Sequence, residues 1–187
     1  MDFIDNYLTE LEHSLRALSR DDLQKAVESL MQAWRDDRNI WIIGDGGSAA
    51  TASHMMCDFN KLTITPGKRR FRAIALTDNM PLITAWGNDA SFDVVFAEQL
   101  RNFMRPGDTV IAISTSGNSP NLVKAVETAR EIGGTVIALL GDKGGKLAEM
   151  ADLVVRFPDP NQGRQEDGHL IMNHVIAGAL KQMMNAE

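Results

Sequence analysis

The chain has a single cysteine, Cys57, so no internal disulfide can staple it, which agrees with a reducing cytoplasmic compartment. The amino terminus, MDFIDNYLTELEHSL, lacks a basic segment followed by an apolar one, so no secretory leader is expected. Long apolar runs are missing as well. The stretch Ile40 to Ile43 is typical of the longest, against the roughly 20 residues of a membrane-spanning helix, so nothing is expected to cross a bilayer. Positive charge is in deficit: 19 Lys and Arg face 25 Asp and Glu for a net charge of -6, which excludes a general attraction to nucleic acid. The one basic cluster, Lys68-Arg69-Arg70 with Arg72, suits a solvated loop before a strand or a local role at a subunit boundary. No low-complexity, collagen-like or coiled-coil signature appears.

What is present is the balance of a globular protein, with 44% hydrophobic and 24% charged residues in 187, enough for one domain with a sizeable core. Residues 1–36 carry apolar positions at helical spacing, among them Phe3, Tyr7, Leu11 and Leu15, then Leu23, Val27, Leu30 and Trp34. Two helices are expected, broken near Leu18-Ser19, with Ser19 as N-cap of the second. Strand candidates follow at Asn39 to Gly44, Arg72 to Leu76, Thr109 to Ser114, Thr135 to Leu140 and Leu153 to Phe157. They are continuous apolar runs rather than alternating ones, as strands buried on both faces are. Helical stretches separate them at Ser48 to Asn60, Phe92 to Phe103, Pro120 to Ile132 and Gly145 to Met150, and a last helix covers about Arg164 to Met184. Alternation of this kind predicts an α/β fold: a doubly wound five-stranded parallel sheet over residues 37–187, with ligands bound beyond the carboxyl ends of its strands.

Two loops carry candidate chemistry. Gly44-Asp45-Gly46-Gly47-Ser48 links a strand to a helix, where exposed N–H groups and the helix dipole favour an anion. It fits neither G-x-G-x-x-G nor Gly-Lys-Ser/Thr, so neither a dinucleotide nor a nucleoside triphosphate is expected. By itself it is equally a bare turn. The second loop, Ser114-Thr115-Ser116-Gly117-Asn118-Ser119 before Pro120, gathers four hydroxyls; capping would explain Ser119 but not all four, and a phosphate monoester suits the set. On the first long helix, His54 and Asp58 stand four apart and share a face. On the last, Glu166 or Asp167 can align with His174, and His169 is expected to point elsewhere. Gly87-Asn88-Asp89 reads as a turn. Cys57 and the ten methionines read as packing residues.

The loops STSGNS and GDGGSA, together with His54 and an acid four residues on, Gly87-Asn88-Asp89 and His174 on a final helix, resemble the SIS (sugar isomerase) family, in its phosphoheptose isomerase type. The resemblance implies a flavodoxin-like sheet with two extra N-terminal helices, used in assembling a homotetramer. It implies interconversion of sedoheptulose 7-phosphate and D-glycero-D-manno-heptose 7-phosphate through an enediol, with Asp58 as base and His174 as acid. Substrate contacts would come from Asp45, Gly46, Gly47, Ser48, Asp89, Ser114, Thr115, Ser116, Ser119 and Glu166, and one zinc per subunit from His54, Asp58, Glu166 and His174. Three positions depart from the family pattern: Asp58 stands for a glutamate, Glu166 for a glutamine and Asp45 for an asparagine. The departures keep two other outcomes open: an isomerase of a different sugar phosphate, and a SIS-type module that binds a phosphosugar and organises partners without catalysis. An added carboxylate at Glu166 predicts tighter metal binding than in glutamine-bearing relatives.

Overall fold

A computed structural model describes residues 2–187. Two helices open the chain, α1 (Phe3–Ala17) and α2 (Arg20–Arg35). The Ser19 hydroxyl accepts from the Asp22 N–H at 3.2 Å, the expected N-cap. Then come β1 (Ile40–Gly44), α3 (Gly47–Cys57), β2 (Ala73–Ala75), α4 (Met80–Asp89), α5 (Ala97–Phe103), β3 (Thr109–Ser114), α6 (Pro120–Ile132), β4 (Thr135–Leu140), α7 (Leu147–Met150), β5 (Leu153–Arg156) and α8 (Gln162–Ala186).

The five strands form one parallel sheet in the order β2-β1-β3-β4-β5, as expected. Alternation along the strands builds two cores. Ile40, Ile42, Ile111, Ile113, Ile137 and Leu139 face α2, α3 and α8, while Trp41, Ile43, Val110, Ala112, Val136 and Ala138 face α5, α6 and α7. Burial on both faces holds for β1 and β3 throughout. The edge strands depart from it, with Ile74 of β2 and Arg156 of β5 exposed, because a border strand is covered incompletely.

Three expectations need correction. Residues 80–89 form helix α4 through the supposed Gly87-Asn88 turn; Asn79 caps it through Leu82 N–H and Pro81 sits in its first turn. The stretch from Phe92 is a 3₁₀ turn, Phe92–Val94, before α5 begins at Ala97. Cys57 is exposed rather than packed. The N-terminal hairpin also divides: α2 buries Leu23, Val27, Leu30, Met31 and Trp34 in its own chain's core, whereas Ser14 is the buried residue of α1. The basic cluster serves locally, since Arg69 and Arg72 pair with Asp37 and the Arg69 guanidinium lies 5.7 Å from the Trp34 ring centre. Among the described residues no helix is long and apolar enough to cross a membrane.

Candidate active site

The sheet order reverses between β1 and β3, and in this architecture the crevice beyond that point takes ligands. Gly44 pairs with Ile113, so the loops after the two strands emerge side by side. The first loop needs its glycines: Gly46 has φ 56°, and a Cβ on Gly47 would come within 2.8 Å of Glu166 Oε2. In the second, Gly117 has φ 63°, and a Cβ there would fall 1.9 Å from the Gly144 carbonyl oxygen.

Between the loops lies a cavity of about 330 Å³. Asp45, Gly46, Gly47, Ser48, Ser114, Thr115, Ser116, Ser119 and Glu166 all line it, so the structure brings together every expected substrate contact except Asp89. That residue ends α4, is exposed and accepts from Asn88 Nδ2 at 2.8 Å. Ser119 stands at the α6 N-cap position without a capping hydrogen bond, so capping does not account for its hydroxyl. Ser114 Oγ accepts from Gly117 N–H at 3.0 Å, and Ser116 Oγ from Asn118 N–H at 3.2 Å, shaping the loop from within. Among the described residues no Lys, Arg or His lines the cavity. Positive potential comes instead from the N-termini of α3, α6 and α8, each worth about half a charge.

Sequence reasoning missed Gln162, which lines the cavity, and Asn121, whose Nδ2 donates to Asp45 Oδ1 at 2.7 Å. Neither belongs to a motif; the spacing of Asn121 just after Pro120 was the one available signal.

The second cluster lies along the seam between α3 and α8. His54 Nε2 is 3.3 Å from His174 Nε2 and 3.5 Å from Asp58 Oδ2, and His174 Nε2 is 3.8 Å from that same oxygen. After Cys57 the helix widens into a π-turn, Asp58–Leu62, a feature frequent at functional sites. Buried Asn173 donates from Nδ2 to Asp58 Oδ2 at 2.9 Å. The shorter acid therefore reaches both histidines because α8 lies close.

These separations test the fit to a metal. Tetrahedral zinc with bonds of about 2.0–2.1 Å places its ligand atoms about 3.3–3.4 Å apart, and two imidazole nitrogens with one carboxylate oxygen form a suitable donor set. The three side chains fit. Glu166 lies outside this group; it accepts from Gln162 Nε2 at 3.3 Å beside Gly47, about 12 Å up the helix from His174 by eight residues' rise. The tighter binding expected from its extra carboxylate has no support in this arrangement.

Of the two helical alignments with His174, neither is formed: Asp167 Oδ2 accepts from the Tyr7 hydroxyl at 2.6 Å. His169 is buried, which the expectation that it points elsewhere had not specified. Burial pushes its pKa down, against the Leu140 carbonyl and Glu166, which favour the charged form. Neither ring nitrogen nevertheless makes a well-formed hydrogen bond.

Comparison with known proteins matches the SIS-domain family over residues 3–141. A phosphoheptose isomerase of Mycobacterium tuberculosis is 40% identical over 150 residues, covering 80% of this chain and 76% of that protein. The solved phosphoheptose isomerase GmhA from Neisseria gonorrhoeae superposes with TM-score 0.89 at 32% identity, over 96% of this chain and 97% of that one. The phosphoheptose isomerase from Francisella tularensis gives 0.85 at 28% identity, over 97% of this chain and 100% of that one. With the cavity and the hydroxyl loop beyond the sheet's carboxyl edge and the histidine pair on the seam between α3 and α8, the chain belongs to the SIS-domain family and is an isomerase of the phosphoheptose isomerase type.

Proposed function

We propose that the chain interconverts sedoheptulose 7-phosphate and D-glycero-D-manno-heptose 7-phosphate, with the phosphate in the hydroxyl-lined cavity and Asp58 and His174 at the reacting carbons. The observation that carries this reading is a spacing. Glu166 touches the position of Gly47, and His174 touches His54, so α3 and α8 run side by side in one direction, and the cavity and the cluster are two stations on one seam. Seven residues separate Gly47 from His54, about 10 Å along the helix. In an extended seven-carbon ketose phosphate, seven bonds separate phosphorus from C2, roughly 8–9 Å.

The chemistry needs one base and one acid. Asp58 takes a proton from C1 while His174 gives one to the C2 oxygen, forming the enediol. Return of the carbon-bound proton to C2, with loss of the proton on the C1 oxygen to His174, gives the aldose; no oxidant or reductant is consumed. Asn173 fixes the carboxylate of Asp58, and the neutral donors and helix termini hold the phosphate without a cation. His54, Asp58 and His174 would hold a zinc ion, which when bound polarises a carbonyl oxygen.

Further parts of the reading are its setting and assembly. A cytoplasmic location accords with the lone exposed cysteine. A homotetramer accords with exposed Phe3, Ile4 and Leu8 on α1 and with the apolar groove among Leu15, Leu18, Val27, Ile171 and Val175.

The test is incubation with sedoheptulose 7-phosphate in deuterated water, with and without added zinc, following aldose formation and deuterium at C1 and C2. Product that vanishes in His174→Ala supports the assignment. Deuterium exchange without product points to the same chemistry on another sugar. Binding with neither signal favours the non-catalytic module.

A further inference from the structure

The first two turns of α8 deliver Gln162 and Glu166 to the cavity, and α1 lies against them from outside. Arg164 and Asp167 stand three apart on one face of α8. Glu166 lies about 200° round the helix from Arg164 and about 100° from Asp167, so a grip on those two leaves it free to face the cavity. Tyr7 of α1 touches both: its hydroxyl donates to Asp167 at 2.6 Å, and its ring centre lies 5.5 Å from the Arg164 guanidinium carbon.

A second tie joins Ser14, about two turns further along α1, to Asp159 just before α8. Asp159 is fully buried, and its carboxylate accepts from Ser14 Oγ at 2.6 Å, Arg164 Nε at 2.7 Å and Asn161 N–H at 2.8 Å. Its carbonyl accepts from Gln165 Nε2 at 2.6 Å. Asn161 in turn caps α8 by accepting from Arg164 N–H at 3.1 Å. Burial by itself would raise the Asp159 pKa, but the bonds from Arg164, Ser14 and Asn161 outweigh it and hold the carboxyl low. The bond to Asp167, with burial, pushes the Tyr7 hydroxyl up to about 12. Tyr7 and Asp159 therefore each keep one charge state across the neutral range.

We propose that Tyr7 and Ser14 of α1, acting through Arg164, Asp167 and Asp159, are positioning residues that clasp the first two turns of α8 and so fix Gln162 and Glu166 in the sugar-phosphate cavity. The proposal rests on the cavity being the substrate site. It assigns α1 a part in recognition inside its own chain. Because the clasp serves the cavity and not the His54, Asp58 and His174 cluster, loosening it weakens substrate binding and leaves the chemical step nearly unchanged.

Tyr7→Phe and Ser14→Ala each delete one hydroxyl and keep the packing, and Arg16→Ala, which removes an exposed α1 ion pair with Glu12, is the control. Amide hydrogen exchange over residues 161–167 is expected to quicken about two- to tenfold in the first two, the range for loss of one hydrogen bond. Exchange over 40–44 stays as in the parent chain. KM for sedoheptulose 7-phosphate rises by a similar factor with kcat within about twofold, and Arg16→Ala changes neither. Unaltered exchange over 161–167 overturns the clasp whether or not the chain turns over that sugar. Faster exchange with unaltered KM overturns its link to binding, as does a fall in kcat and melting temperature together with KM unchanged. Absence of turnover in the parent chain is a failure of the substrate assignment; the affinity of sedoheptulose 7-phosphate, or of inorganic phosphate if the sugar does not bind, then replaces KM, and an affinity unmoved in Tyr7→Phe and Ser14→Ala overturns the link.

Discussion

His169 shows what one buried ring does to the whole stability curve. Its folded pKa lies below the ordinary value near 6.5 because burial penalises the charged form. The unfolded chain thus binds a proton that the folded one refuses. Its contribution to stability is complete above about pH 6.5 and is lost as pH falls from there through the folded pKa. Urea unfolding at pH 7.5 and 5.5 should show a loss at the lower pH that is smaller in His169→Gln. Asp58 makes a second residue-scale point. The resemblance implies a glutamate, one methylene longer, at this position, and here Asn173 and the π-turn already place the shorter carboxylate against both histidines. Asp58→Glu is therefore expected to lower kcat, by about tenfold or more, because a shift of roughly 1 Å at a reacting group is that costly; turnover equal to the parent would refute the point.

At the scale of elements, the loop between β3 and α6 depends on its neighbour after β4. Gly117 packs on Gly144, the Leu147 N–H donates to the Gly117 carbonyl at 3.0 Å, and the Lys146 N–H donates to Asn118 Oδ1 at 3.0 Å. The hydroxyl nest is thus braced by a segment that makes no motif in the sequence. Gly117→Ala combines a positive φ with a Cβ that would overlap the Gly144 carbonyl, a strain of about 1–3 kcal/mol. We expect a lowered melting temperature and a KM raised at least severalfold, measured by thermal unfolding and steady-state kinetics. The helix α4 carries the opposite lesson. None of its residues is fully buried; Ile83 and Trp86, three apart, pack only partly against the core, a two-residue stripe too short to announce a helix. Its local signals were the Asn79 cap and Pro81, which read as a turn as readily as a helix start.

For the whole molecule, assembly is the open quantity that the surface makes testable. Light scattering should give about four times the chain mass of 20.6 kDa, and Leu8→Glu, which places a charge on the exposed face of α1, should shift the population to smaller species. A parent chain that runs at one chain mass would reject the homotetramer. The order of the strands, every helix but α4, the two loops and the His54 and Asp58 pair were legible in the sequence. Each depends on local chemistry: β-branched runs, glycine where φ is positive, and the 3.6-residue repeat. Tertiary structure alone decided that Asp167 turns to Tyr7, that Glu166 serves the cavity and not the histidine pair, and that His169 is buried. Those outcomes depend on which helix lies beside which face, and such packing joins residues far apart in the chain through distances that no sequence spacing encodes.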